Sequence, residues 1–224
     1  SRMFATWMFW RRRVATAAAT TAGAMTALNL PADEVQALIA QHAPTLVLAN
    51  HNAPNQVVVS GALAAIAAFE ATLQSLGIAC KRLPVATAFH SPLVAPCSDA
   101  FVRELAALPI SATVAPVFGN ASGACYPQDA AAMCAQLAAQ IAAPVRFVAT
   151  IEAMYAAGVR CFVEVGPGQV LSGLVDAILG DRPHRAIALD RKGRDGVESL
   201  LTGLARLAAA AALKVPYLSD SPGR

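Results

Sequence analysis

Apolar and polar positions alternate in a legible way from Gly23 onward. Gly23-Ala24-Met25-Thr26-Ala27-Leu28 is a short apolar run that predicts a strand. Pro31 then opens a helix in its first turn, where a missing N–H is harmless, and Asp33 and Glu34 suit the positive end of the helix dipole. Val35, Leu38, Ile39 and His42 recur at helical spacing, and Pro44 stops the run. Residues 46–49 predict a second strand, 50–55 a polar turn containing a proline, and 56–59 a β-branched third strand. Leu63, Ile66, Phe69, Leu73 and Leu76 mark one face of a second helix that Gly77 ends. Residues 78–85 supply a last strand.

That order, β-α-β-β-α-β, predicts a ferredoxin-like unit over 23–89. Beyond His90 the pattern changes to alternating helix and strand. Helices are expected over 94–105, 129–141, 145–156, 170–179 and 197–211, with apolar strands over 114–118, 161–165 and 186–189. Cys161-Phe162-Val163-Glu164-Val165, followed by Gly166-Pro167-Gly168-Gln169 and a helix, reads as a buried parallel strand delivering a tight turn. The second part, 90–195, is therefore α/β. Three strands are too few for a parallel sheet covered by so many helices, so the missing strands are expected before Ser1. A chain that begins at Ser1 rather than Met reads as a cut fragment. Residues 1–22 are an atypical remnant of the larger part, and 196–224 hold a C-terminal helix and its trailing residues.

Composition narrows the class. The 224 residues are 56% apolar and only 14% charged, against about 25% charged in a typical domain. This excludes disorder and a solvated, charged helix bundle. No uncharged run of about 18 strongly apolar residues occurs, so no membrane helix is expected. A net charge of +3 with scattered basic residues gives no nucleic-acid footprint. The five cysteines form no C-x-x-C pair and none has a histidine at metal spacing, so no metal site is expected, and buried thiols in a reducing cytosol are the simple reading. Arg11-Arg12-Arg13 with the apolar run after it faintly resembles a twin-arginine export signal, but that run is rich in Thr and Ala.

Two motifs invite chemistry. Gly166-Pro167-Gly168 before a helix suggests a phosphate loop, yet it lacks the third glycine of G-x-G-x-x-G and the lysine of a P-loop, and a structural turn explains it. No G-x-S-x-G occurs anywhere; Ser60, Ser122 and Ser172 each precede a glycine without one two places before. His90 follows an apolar strand and lies where the first unit hands over to the second, a kind of junction where clefts form. From position alone it is either a catalytic or a hydrogen-bonded structural histidine.

Three segments, in order, resemble a known family. They are Asn50-His51-Asn52-Ala53-Pro54-Asn55-Gln56-Val57-Val58-Val59-Ser60-Gly61, Ala88-Phe89-His90-Ser91-Pro92, and Phe162-Val163-Glu164-Val165-Gly166-Pro167-Gly168. Together they resemble the acyltransferase domain of modular polyketide synthases and the malonyl-CoA:acyl carrier protein transacylase of fatty acid synthesis. The likeness runs from about Gly23 to Asp190, and residues after Leu200 resemble the start of the linker that comes after such domains. It implies a partial α/β-hydrolase-like parallel sheet carrying the ferredoxin-like subdomain. It also implies transfer of a malonyl group from malonyl-CoA, through a serine ester, to the phosphopantetheine thiol of acyl carrier protein. Acyl carrier protein and other synthase domains would be the partners, in the cytoplasm, with no bound cofactor, metal, nucleic acid or membrane.

The resemblance makes His90 the general base, oriented by a backbone carbonyl at Gln140 rather than by a carboxylate. A polar residue at a helix C-terminus explains Gln140 as well. Asn50 and Asn52 match asparagines lining the family's cleft, and turn-capping explains them too. Arg12 is nearest the arginine that grips the substrate carboxylate by a bidentate pair, with Arg11 or Arg13 as neighbours and a solvated basic cluster as the rival reading. Phe89, immediately before the histidine, implies malonyl over methylmalonyl, because a phenyl ring fills the room an α-methyl needs. The G-x-S-x-G serine and the oxyanion loop are absent, so the chain by itself is expected to be inactive. The alternatives are a non-catalytic subunit or docking module of the same fold, or an unrelated α/β protein whose GPG turn binds phosphate.

Overall fold

The computed structural model describes residues 22–212. The chain divides into two compact units, Ser1–Phe147 and Val148–Arg224. The sequence pattern put a seam at 89/90 instead. Residues beyond His90 stay with the first unit because Val145 is hydrogen-bonded to a strand of its sheet.

The first unit is built on β1 (Gly23–Leu28), α1 (Ala32–His42), β2 (Val47–Ala53), β3 (Gln56–Ala62), α2 (Leu63–Ser75) and β4 (Cys80–Arg82). The four strands form one antiparallel sheet in the order β2-β3-β1-β4. Side chains alternate across it. Ala24, Leu28, Val57 and Val59 meet Val35 and Ile39 of α1 and Ile66, Phe69 and Leu73 of α2, all buried. Each large side chain so buried contributes roughly 1.5–3 kcal/mol. Met25, Ala49 and Val58 point to the other face, where Ala27, Leu83, Val85 and Phe89 pack on them. A chain segment, not a helix, covers that second face.

Two boundaries differ from those expected. β2 runs on through Asn50, His51 and Asn52 to Ala53, leaving only Pro54-Asn55 as the turn. The polar residues stay extended because they are paired twice, to β3 on one side and at Val145 on the other: Val145 N–H donates to Ala49 O at 2.8 Å, and His51 N–H to Val145 O at 2.9 Å. The strand expected over 78–85 shrinks to Cys80–Arg82. Pro84 has no N–H for the ladder and constrains Leu83 before it.

The rest of the first unit comprises a 3₁₀ turn (Pro92–Val94), α3 (Pro96–Ala106), a small hairpin of β5 (Phe118–Gly119) and β6 (Ala124–Cys125), and α4 (Ala130–Ala139), which packs on α3. Asp129 caps α4 through the Ala132 N–H. The strand expected over 114–118 is reduced to Phe118–Gly119. Pro116 interrupts the apolar run and cannot donate to a ladder, and Val114 is fully exposed.

The second unit contains α5 (Phe147–Ala156, starting at the boundary), β7 (Cys161–Pro167), α6 (Val170–Leu179), β8 (Arg185–Asp190) and α7 (Gly196–Ala212). β7 and β8 pair in parallel, joined by α6. Ile187, Ala188, Val175, Ile178 and Leu179 are buried, but Val163 and Val165 are 39% and 81% exposed. The expected parallel pairing is present, but the expected burial of β7 is not. Among the described residues β8 is its only neighbour.

Candidate active site

His90 is held by the segment that crosses the second face of the four-stranded sheet. Gly23 makes the approach possible, since a Cβ there would collide with the backbone nitrogen of Ala88. Ala88 is buried, and its carbonyl accepts the Ser91 hydroxyl at 2.7 Å. Phe89 lies on Met25, Ala49 and Val58. His90 then adopts φ 57°, the one described non-glycine residue with positive φ. Such a conformation costs on the order of 1–3 kcal/mol and persists only where the surroundings impose it.

The imidazole is anchored on one side. Its Nδ1 lies 3.0 Å from the carbonyl oxygen of Ala143. A carbonyl only accepts, so Nδ1 bears the proton and the lone pair of the neutral ring is on Nε2. Burial pushes the ring's pKa below its usual 6.5, against the opposing pull of the Ala143 and Gln140 carbonyls. The ring is thus neutral near pH 7, with Nε2 able to take a proton. His51, on β2, is also lowered by burial.

The anchoring carbonyls belong to the turn after α4. The last carbonyls of a helix lack internal partners, and they carry the negative end of its dipole, which favours an imidazolium when one forms. Gln140 is the C-cap of α4, and its side-chain Oε1 accepts the Tyr126 hydroxyl at 2.6 Å. Two residues beyond Ala143, Val145 is clipped to β2, and Arg146 N–H donates to Asn120 O at 2.7 Å. His90, Gln140, Ala143 and the backbone of Asn50 are therefore assembled by one set of contacts, the Asn50–Val145 bridge included. Asn52 lies further along β2, beside a bulge. Arg12 lies outside the described residues.

Sequence reasoning did not single out Ala143 or Tyr126. Ala143 acts through its carbonyl, which no side chain advertises. Tyr126 had a signal only in being a large polar ring just before a capped helix. Glu164 was also missed as a structural element. Its carboxylate accepts from Leu171 N–H at 3.1 Å, Ser172 N–H at 2.8 Å and the Ser172 hydroxyl at 2.8 Å. With Gly166 and Gly168 at φ 151° and 103°, the GPG turn delivers α6 with that carboxylate already at its N-terminus. This is the place a phosphate would take.

Fold and site define a mixed α/β protein whose half-buried histidine is oriented by backbone rather than by a carboxylate. Residues 5–209 match the family model described as the acyl transferase domain, and the chain belongs to that family. It is 38% identical over 170 residues to a polyunsaturated fatty acid synthase polypeptide of Thraustochytrium, a match covering 75% of this chain and 6% of that protein. It is also 38% identical over 133 residues to the malonyl CoA-acyl carrier protein transacylase of Salmonella typhimurium, covering 58% of this chain and 42% of that one. Among solved structures, the malonyl CoA-acyl carrier protein transacylase of Clostridium perfringens superposes with a TM-score of 0.76 at 29% identity, over 86% of this chain and 59% of that one. The acyltransferase domain of the second module of the salinomycin polyketide synthase gives 0.74 at 31% identity, over 95% and 52%. The chain thus spans less than two thirds of the length of each of these relatives.

Proposed function

We propose that the chain carries the base-bearing part of an acyl-transfer site of polyketide or fatty-acid-type synthesis, one that moves malonyl from malonyl-CoA to acyl carrier protein. The observation behind this reading is the His90 ring, protonated at Nδ1 by its bond to Ala143 and basic at Nε2. In the proposed chemistry Nε2 takes the proton of a serine hydroxyl as its Oγ attacks the malonyl thioester. The imidazolium returns that proton to the departing CoA sulfur, leaving a malonyl-serine ester. The phosphopantetheine thiol then gives its proton to Nε2 and attacks the ester, and the imidazolium passes that proton to the departing Oγ, which regenerates the serine and a neutral ring. The family membership supports the same reading, with the β-α-β-β-α-β unit as the ferredoxin-like subdomain and β7-α6-β8 as part of an α/β-hydrolase-like one.

Phe89 is the selectivity residue in this proposal, Asn50 and Asn52 line the substrate cleft, and Arg12 holds the free carboxylate. Gln140 and Ala143 share the orienting of His90. No bound cofactor is required; malonyl-CoA and phosphopantetheine enter as substrate and acceptor, and the other synthase domains are the further partners. Among the described residues no helix is long and apolar enough to cross a membrane, and no three metal-ligating side chains cluster; the setting proposed is the cytoplasm.

The second reading is a non-catalytic module of the same fold. Radiolabelled malonyl-CoA separates the two. The 224-residue chain is expected to stay unlabelled, whereas a longer form carrying a G-x-S-x-G segment takes up one base-labile malonyl group and passes it to acyl carrier protein. A longer form that neither acquires nor passes on label leaves the non-catalytic module standing.

A further inference from the structure

Tyr126 is absent from the segments that carry the family resemblance, yet it stands one link from His90. We propose that Tyr126 is a positioning residue: its hydroxyl, bonded to the Gln140 side chain, fixes the turn after α4 whose carbonyls orient His90. Its functional meaning rests on the acyl-transfer reading of His90, while the linkage itself is structural.

The chain of contacts is continuous. Tyr126 is fixed at its own backbone, where its N–H donates to Val117 O at 2.7 Å. Its ring lies close over Gly119, where an added Cβ would stand 3.1 Å from the ring. From there the hydroxyl donates to Gln140 Oε1 at 2.6 Å. Gln140 ends α4, and the backbone beyond it is held to the helix by Ala142 N–H and Ala143 N–H on Ala139 O, at 3.2 and 3.0 Å. Final helical turns fray, and this one bears the carbonyl on which His90 Nδ1 rests at 3.0 Å. A tether on Gln140 opposes that fraying at its first residue. The hydroxyl is suited to the task because burial pushes its pKa up, which keeps it a donor. A neighbouring bond, from Gln136 Nε2 to Ser122 Oγ at 2.9 Å, also joins α4 to the hairpin but one turn further from the carbonyls. It supplies an internal control.

The test is the exchange of the His90 Nδ1 proton with solvent, followed by nitrogen-15 NMR in the full 224-residue chain without substrate. Tyr126→Phe, which keeps the ring, is expected to raise the exchange rate at least tenfold and to lower the ring's titration midpoint further, because the carbonyl contacts that raise it are weakened. Gln140→Met should do the same. Gln140→Glu, which keeps an acceptor for the hydroxyl, should keep the exchange rate near wild type while its added carboxylate moves the midpoint up rather than down, and Tyr126→Phe with Gln140→Met should be no worse than either alone. Ser122→Ala should leave the proton's exchange unchanged. Wild-type exchange in Tyr126→Phe, or equal acceleration in Ser122→Ala, would overturn the proposal. If Tyr126→Phe does not fold, the Gln140→Met and Gln140→Glu pair decides: acceleration in both, or in neither, is equally fatal. Because no step depends on acyl transfer, an inactive His90 would sink the functional reading while leaving this result intact.

Discussion

Two adjacent side chains meet different neighbours because the backbone turns between them. Phe89 lies on Met25, Ala49 and Val58; His90, at φ 57°, turns toward the end of α4. Under the proposed function, the ring of Phe89 would take up the space that an α-methyl substituent needs. Discrimination by one methyl group is worth roughly 1–3 kcal/mol, or about 10–200-fold. Phe89→Ser in an active longer form should therefore raise methylmalonyl labelling relative to malonyl by one to two orders of magnitude. An unchanged ratio in a competition assay would remove Phe89 from the selectivity role. His90 also ties folding to pH. Burial disfavours its cation, so its folded pKa lies below the ordinary 6.5. Its contribution to stability is complete above 6.5 and is lost as pH falls through the folded value. Denaturation midpoints should drop between pH 7.5 and 5, and His90→Gln should flatten that part of the profile; a parallel profile in the variant would contradict the assignment.

Among elements, the close passage of the 88–90 segment over the start of β1 has a sequence requirement. Gly23→Ala puts a methyl against the Ala88 backbone. Backbone offers no flexible end to give way, and overpacking of this kind costs about 1–3 kcal/mol. The urea midpoint should fall accordingly and the His90 Nδ1–H signal should shift, whereas a variant as stable as wild type would mean the segment moves freely. Several helices and strands were legible because their apolar spacing is local: α1, β1 and α6 begin and end within a residue of where their patterns predict. Misreadings arose where pairing at a distance overrode local polarity. Asn50, His51 and Asn52 look like a turn, but Val145, nearly a hundred residues on, holds them extended. Prolines produced the opposite error, with Pro84 and Pro116 cutting short runs that composition alone marks as strands. The site follows the same rule. His90 was visible as a residue type in a motif, while the Ala143 carbonyl was not, because every residue owns one.

For the whole molecule, unevenness of burial is the informative feature. The sheet of the first unit has both faces covered and its interior strands filled with Ala24, Met25, Val57, Val58 and Val59, each at 5% exposure or less. In the second unit, β7 has a composition suited to burial on both faces, yet Val165 is 81% exposed. A match over residues 5–209 shows that the family relation extends through both units. The proposed acyl transfer rests on one neutral imidazole in the first unit, and the direct test is kinetic. In a longer form bearing G-x-S-x-G, the rate of malonyl labelling at pH 7.5 should fall about 10²–10⁴-fold on replacing His90 by Ala, the usual contribution of a general base. In the wild type the same rate should climb with pH through a midpoint below 6.5 and then level off. A His90→Ala protein that labels at the wild-type rate would contradict the account.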